Sequence, residues 1–141
     1  MYRKIMVPID LAHIEVIEPT LETVADLARH YDAEVCYVGV TSTTPSSVAR
    51  TPEEFARKLE AFAQRRAEVH GQPVSTHTIA SPDPVADLDR DLVKAIEKVG
   101  ADLVVMPTHL PKHIDVIMPS HGGKVATNTD VSVFLVRPRK G

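Results

Sequence analysis

Apolar residues along the chain recur in two rhythms, and the alternation between them is the first structural signal. Ile5 to Ile9 is a short apolar run halted by Asp10. The segment after it places Ile17, Leu21, Val24, Ala28 and Tyr31 at spacings of four, three, four and three, which is one face of a helix. Ala33 to Val40 is apolar again and rich in β-branched residues, so a second strand follows and completes a β-α-β unit. Thr41-Ser42-Thr43-Thr44-Pro45-Ser46-Ser47 then breaks the pattern with side chains that compete for backbone hydrogen bonds. A mobile loop is expected from Thr41 to Thr51, where Val48 stands out as an apolar side chain to bury.

Thr51-Pro52-Glu53-Glu54 combines an N-cap, a proline at the first helical position and a glutamate three residues after the cap. Phe55, Leu59, Phe62 and Val69 supply the stripe of that helix, and Gly71 is placed to end it. Val74 to Ala80 reads as a third strand with a polar middle, the mark of a sheet edge. Asp83-Pro84 opens another helix, with Val85, Leu88, Leu92, Ile96 and Val99 inward and Gly100 as its stop. Leu103 to Met106 is apolar on both faces, as a central parallel strand should be. Ser120 to Asn128 reads as a short helix and Val131 to Val136 as a fifth strand.

Strands separated by helices cannot pair as hairpins, so right-handed crossovers and a parallel sheet covered on both faces are expected. The fold class is α/β and Rossmann-like, with five strands. In such sheets a ligand crevice lies beyond the carboxyl ends of the strands, where the strand order reverses. The ends of strands one, two and four are therefore the places to look for a site.

Composition narrows the function. The 141 residues fit one domain over positions 1–141, with 43% hydrophobic and 25% charged residues. A net charge of −3 leaves no basic footprint for a phosphate backbone, which argues against nucleic acid. Cys36 has no cysteine to pair with and lies in an apolar run, which fits a reducing compartment. The apolar run after Arg3-Lys4 is too short for the core of a signal peptide, and no stretch approaches the roughly 18 apolar residues of a membrane span. The expectation is a cytoplasmic protein with no membrane insertion.

Lys4-Ile5-Met6-Val7-Pro8-Ile9-Asp10, then Ala33 to Val40, then Gly100 to Met106 with Thr108-His109 resemble, in that order, the opening strand, the second strand and the fourth strand with its exit loop of the universal stress protein family. Ser132 to Arg137 resembles its closing strand, so the likeness covers nearly the whole chain. The resemblance implies a single-domain fold of the adenine nucleotide alpha hydrolase kind, with ATP or AMP as ligand and a homodimer joined through Val131 to Val136. It places Pro8, Ile9 and Asp10 along the base, Val40 against the adenine, and Met106, Thr108 and His109 at the exit of strand four. Ser120, His121 and Gly122 match the region that meets a phosphate.

Nucleotide-binding members of that family carry a Gly, two residues, Gly, about nine residues, then Gly-Ser or Gly-Thr. The matching positions here are Pro107, Leu110 and Pro119, with Ser120 kept and the spacer one residue shorter. The shorter spacer, and a proline following the histidine, are similar to one branch of small bacterial members with an incomplete glycine pattern. Proline has no N–H to donate and fixes φ near about −65°, so any nucleotide is expected to bind weakly.

The same residues admit plainer roles. Asp10 either meets a ribose or adenine or caps the turn that follows it. Val40 is equally a strand residue. Ser120-His121-Gly122-Gly123 either offers free N–H groups to an anion or is an N-cap. No Walker-type glycine-lysine run is present, and no nucleophile is set beside a base and an orienting partner, so a binding module rather than an enzyme is expected. His109, His113 and His121 lie close in sequence, but Pro111 interrupts a helix there and no cysteine or paired carboxylate completes a metal set. Three readings follow: a nucleotide-binding stress or regulatory module, a nucleotide-free dimeric module that meets an unknown protein partner, and a His-based metal-binding protein.

Overall fold

The computed structural model describes residues 1–108 and 121–137. β1 (Lys4–Pro8) passes through a 3-10 helix (Leu11–Ile17) into α1 (Glu18–Tyr31) and β2 (Glu34–Ser42). α2 (Pro52–His70), β3 (Val74–Ser81), α3 (Pro84–Val99), β4 (Leu103–Pro107), α4 (His121–Thr127) and β5 (Ser132–Val136) follow. The strands form one parallel sheet in the order β3-β2-β1-β4-β5. The expected five-stranded α/β sheet is thus present, and its strand order reverses between β1 and β4.

Alternate side chains of each strand face opposite sides, so the central strands feed two cores. Ile5, Val7, Val35, Tyr37 and Val105 pack with Leu21, Val24 and Ala28 of α1 and Phe55, Leu59 and Phe62 of α2. Met6, Cys36, Val38, Val104 and Met106 pack with Leu92 and Ile96 of α3 and Val125 of α4. Burial pushes the Cys36 thiol up from its ordinary value, which keeps it a packing residue rather than a nucleophile.

The helix signals act where the residues place them. Thr51 Oγ1 accepts from the Glu54 N–H at 3.1 Å, and Asp83 Oδ1 accepts from the Ala86 N–H at 3.2 Å. Gly71 and Gly100 end α2 and α3 at φ of 74° and 73°, the left-handed region that side chains disfavour. One tie has no signal in the sequence pattern. The Asp102 carboxylate accepts from the backbone N–H groups of Arg3 and Lys4 at 2.9 to 3.1 Å, clamping the start of β1 to the start of β4.

Three expectations are corrected. Val69 is 58% exposed, and the neighbouring His70 is buried in its stead. Seven residues fall about 20° short of two helical turns, so Phe55, Phe62 and Val69 drift off one face, whereas His70 lies eleven residues from Leu59 and stays under it. Val85, in the first turn of α3, is also exposed. The loop after β2 starts at Thr43 rather than Thr41, because β2 itself runs on to Ser42, pairing Thr41 with Ala80 and Ser42 with Ser81, and most of the loop's residues are exposed. Ala49 is buried in the first core, Ser46 Oγ accepts from the N–H groups of Val48 and Ala49, and Lys58 Nζ donates to the Val48 carbonyl. Serine here satisfies the backbone locally, and Val48 packs partly buried against the core beside Ala49.

Candidate functional site

Two prolines open the sheet at its switch point. In a parallel strand successive N–H groups turn alternately to the two neighbouring strands. The Ile9 N–H donates to the Val38 carbonyl of β2, so the backbone of Pro8 faces β4. The Thr108 N–H donates to the Val136 carbonyl of β5, so the backbone nitrogen of Pro107 faces β1. The next two ladder donors between β1 and β4 would thus be Pro8 and Pro107, and neither has an N–H. Pairing accordingly stops after Ile5 with Leu103 and Met6 with Val104, although β4 pairs with β5 as far as Pro107.

The crevice beyond this split has a volume of about 420 Å³, within the range of small-ligand sites. Ile9 and Leu11 after β1, Val38 and Val40 of β2, and Met106 of β4 line it. Phe55 closes one side, and Pro84, Val85, Leu88 and Leu92 of α3 close another. Its wall is mainly apolar, with Asp10, Thr41, Ser42, Ser46 and Thr108 as the polar members. Such a slot suits a flat aromatic ring with a few polar edges.

Of the residues singled out in the sequence, Pro8, Ile9, Asp10, Val40, Met106 and Thr108 are brought together on this one wall. His121 and Gly122 begin α4. His109 and Ser120 lie outside the described residues, as do Leu110, His113 and Pro119. The metal reading at His109, His113 and His121 therefore falls largely beyond the described part.

Asp10 caps the 3-10 helix. Its Oδ1 accepts from the Ala12 N–H at 3.0 Å, and its Oδ2 lies 2.8 Å from His13 Nδ1. The carboxylate is thereby held in one orientation while its side chain stays 42% exposed at the crevice. Capping and a place on the wall are both realised.

The sequence pattern marks Phe55, Leu88 and Leu92 only as core residues and Val85 as an inward one, yet all four line the crevice. Gly39 is the other residue that pattern misses. Its position in β2 brings the Phe55 ring so close that a Cβ there would lie 2.5 Å from Phe55 Cε1. A glycine inside an apolar β-branched strand is itself a sign of close approach, and it is the signal that could have found this contact.

The model of the Universal stress protein family matches residues 1–137. Among solved structures, the chain is similar to a universal stress protein in complex with cAMP, with a TM-score of 0.70 and 16% identity over 98% of each chain. It is also similar to the universal stress protein from Archaeoglobus fulgidus in complex with dAMP, with a TM-score of 0.63 and 20% identity over 95% of this chain and 97% of that one. A universal stress protein family protein from Arabidopsis thaliana with AMP bound gives a TM-score of 0.66 and 12% identity over 97% of this chain and 92% of that one. These structural likenesses carry the fold, and the family match spans nearly every position of the sequence. The chain belongs to the universal stress protein family.

Proposed function

We propose that this chain is a cytoplasmic regulatory module of the stress-response kind, one domain over 1–141, that binds an adenine nucleotide weakly. The observation that carries this reading is the apolar crevice at the strand-order reversal, where Pro8, Ile9, Asp10, Val40, Met106 and Thr108 meet. The adenine would lie between the ends of β1 and β2 against Val40, with Asp10 near the sugar. His109, Ser120, His121 and Gly122 would flank the phosphate. Structural relatives in complex with cAMP, dAMP and AMP support adenine as the base. The binding is weak because Pro107 offers no N–H where the family pattern has glycine. Losing one charge-assisted hydrogen bond costs roughly 1.5–3 kcal/mol, about tenfold or more in affinity. Titration calorimetry with ATP and AMP tests this. Dissociation constants in the micromolar range or above are expected, tightening in a Pro107→Gly, Leu110→Gly, Pro119→Gly variant. Tight ATP binding that the variant leaves unchanged would overturn it.

The module would act as a homodimer and through a protein partner rather than by catalysis. β5 is a sheet edge on which Phe134 and Leu135 are 44% and 37% exposed, an apolar edge that pairing with a second copy would cover. Among the described residues no helix is long and apolar enough to cross a membrane. Phe134→Asp should yield monomers in sedimentation, and a wild-type protein that stays monomeric at tens of micromolar, on the order of weak dimer affinities, would refute the dimer.

A further inference from the structure

We infer that the split between β1 and β4 recognises hydrogen-bond donors, and that the ligand is held through the sugar hydroxyls of a nucleoside rather than through its phosphates. The inference rests on the adenine reading of the crevice and adds what selects the rest of the ligand. The register that pairs Met6 with Val104 would next set the nitrogen of Pro8 against the carbonyl of Val105, and the nitrogen of Pro107 against the carbonyl of Pro8. Neither nitrogen carries a hydrogen, so neither carbonyl has a ladder donor; Val105 is fully buried, whereas Pro8 is on the crevice wall. Pro8 and Pro107 both line the crevice, and the Asp10 carboxylate stands two residues beyond Pro8 on the same wall.

The Pro8 carbonyl and the Asp10 carboxylate therefore stand as acceptors on one wall. A buried carbonyl needs a donor, and a ligand that brings one satisfies what the strands leave open. A phosphate brings further acceptors and negative charge toward a carbonyl oxygen and a carboxylate, which is repulsive. A ribose brings two adjacent hydroxyls, each able to donate. The base would lie in the apolar slot and the diol at the prolines, leaving the phosphates little to gain.

The test is titration calorimetry of the full chain with adenosine, 2′,3′-dideoxyadenosine, AMP and ATP. Adenosine is expected to bind at least as tightly as AMP and ATP, and loss of both hydroxyls to weaken binding by at least about tenfold. Pro107→Ala restores an N–H aimed at the Pro8 carbonyl, so it should shrink the preference for adenosine over the dideoxy compound. Circular dichroism would report whether that variant folds, and the comparison of ligands on the wild type stands without it. Equal binding of adenosine and the dideoxy compound, or ATP binding more than tenfold tighter than adenosine, would overturn the inference while leaving the adenine reading intact. Failure of all four to bind would overturn both.

Discussion

Gly39→Ala is the substitution that couples the core to the crevice most directly. The added methyl would lie 2.5 Å from Phe55 Cε1, 2.7 Å from Phe55 Cζ and 3.3 Å from Leu59 Cδ2, so something must move. Leu59 is fully buried and Phe55 is nearly so. The ring of Phe55 also lines the crevice, which is the direction in which it can yield. Overpacking of this kind costs about 1–3 kcal/mol. Replacing glycine by alanine inside a strand returns roughly 0.5–1 kcal/mol of backbone entropy. The net destabilisation is then about 1–2 kcal/mol, a fall of about 3–8 °C in the melting temperature for a domain of this size. Urea unfolding and calorimetric melting would measure it, and Phe55→Leu in the same chain should recover part of the loss, since the two positions are in contact. An unchanged midpoint for Gly39→Ala, with ligand affinity also unchanged, would refute the close approach of β2 and α2.

Two further outcomes follow from side chains that anchor the frame. The Gln72 N–H donates to His70 Nδ1, so the neutral ring carries its proton on Nε2 and meets the Tyr37 hydroxyl at 3.1 Å. Burial, then the nearby charges of Arg66 and Arg29, hold the His70 pKa below its ordinary value, so the folded state prefers the neutral ring. That contribution is complete above about pH 6.5 and is lost as pH falls below it, because the unfolded chain binds the proton more readily. Urea midpoints measured from pH 8 down to 5 should drop for the wild type and drop less for His70→Gln; parallel profiles would count against this. Asp102→Ala removes the acceptor for the backbone of Arg3 and Lys4. It should cost about 1–2 kcal/mol and speed amide exchange at the start of β1, and protection as slow as in the wild type there would argue that the clamp contributes nothing.

Much of the fold is readable in the sequence because its signals are local. An N-cap at Thr51, glycines at positions 71 and 100, and apolar runs at Ile5 and Leu103 each act through neighbours within a few residues. Errors arise where geometry accumulates along an element. The drift of α2 exchanges Val69 for His70, and the buried histidine then finds a phenol from β2 to bond. Burial pushes that Tyr37 phenol up to about 12, with Arg66 pulling it down, so it remains a neutral hydrogen-bonding group. The polar composition of the loop after β2 hides its contact with the core. Ser46 turns the chain on itself so that Ala49 is buried in the core and Val48 packs against it; Val48 stands out in the sequence, whereas one alanine is too small a signal to read from composition.

The site divides along the same line. Strand ends are fixed by the apolar runs, so the wall made by Pro8, Ile9, Asp10, Val40, Met106 and Thr108 is legible in the sequence. The side contributed by α2 and α3 is not, since Phe55, Leu88 and Leu92 are at once core and crevice, and only the crossing of the helices over the sheet decides which face of each meets the opening. Pro107 changes its meaning for the same reason. In sequence it counts as a missing glycine, a loss of one contact to an anion. In the sheet its nitrogen points at β1, beside Pro8, and the pair ends the ladder. A residue that in one dimension subtracts a donor therefore, in three, creates an opening and lines it with acceptors, and the chemistry of a ligand that fits is set by that change of sign.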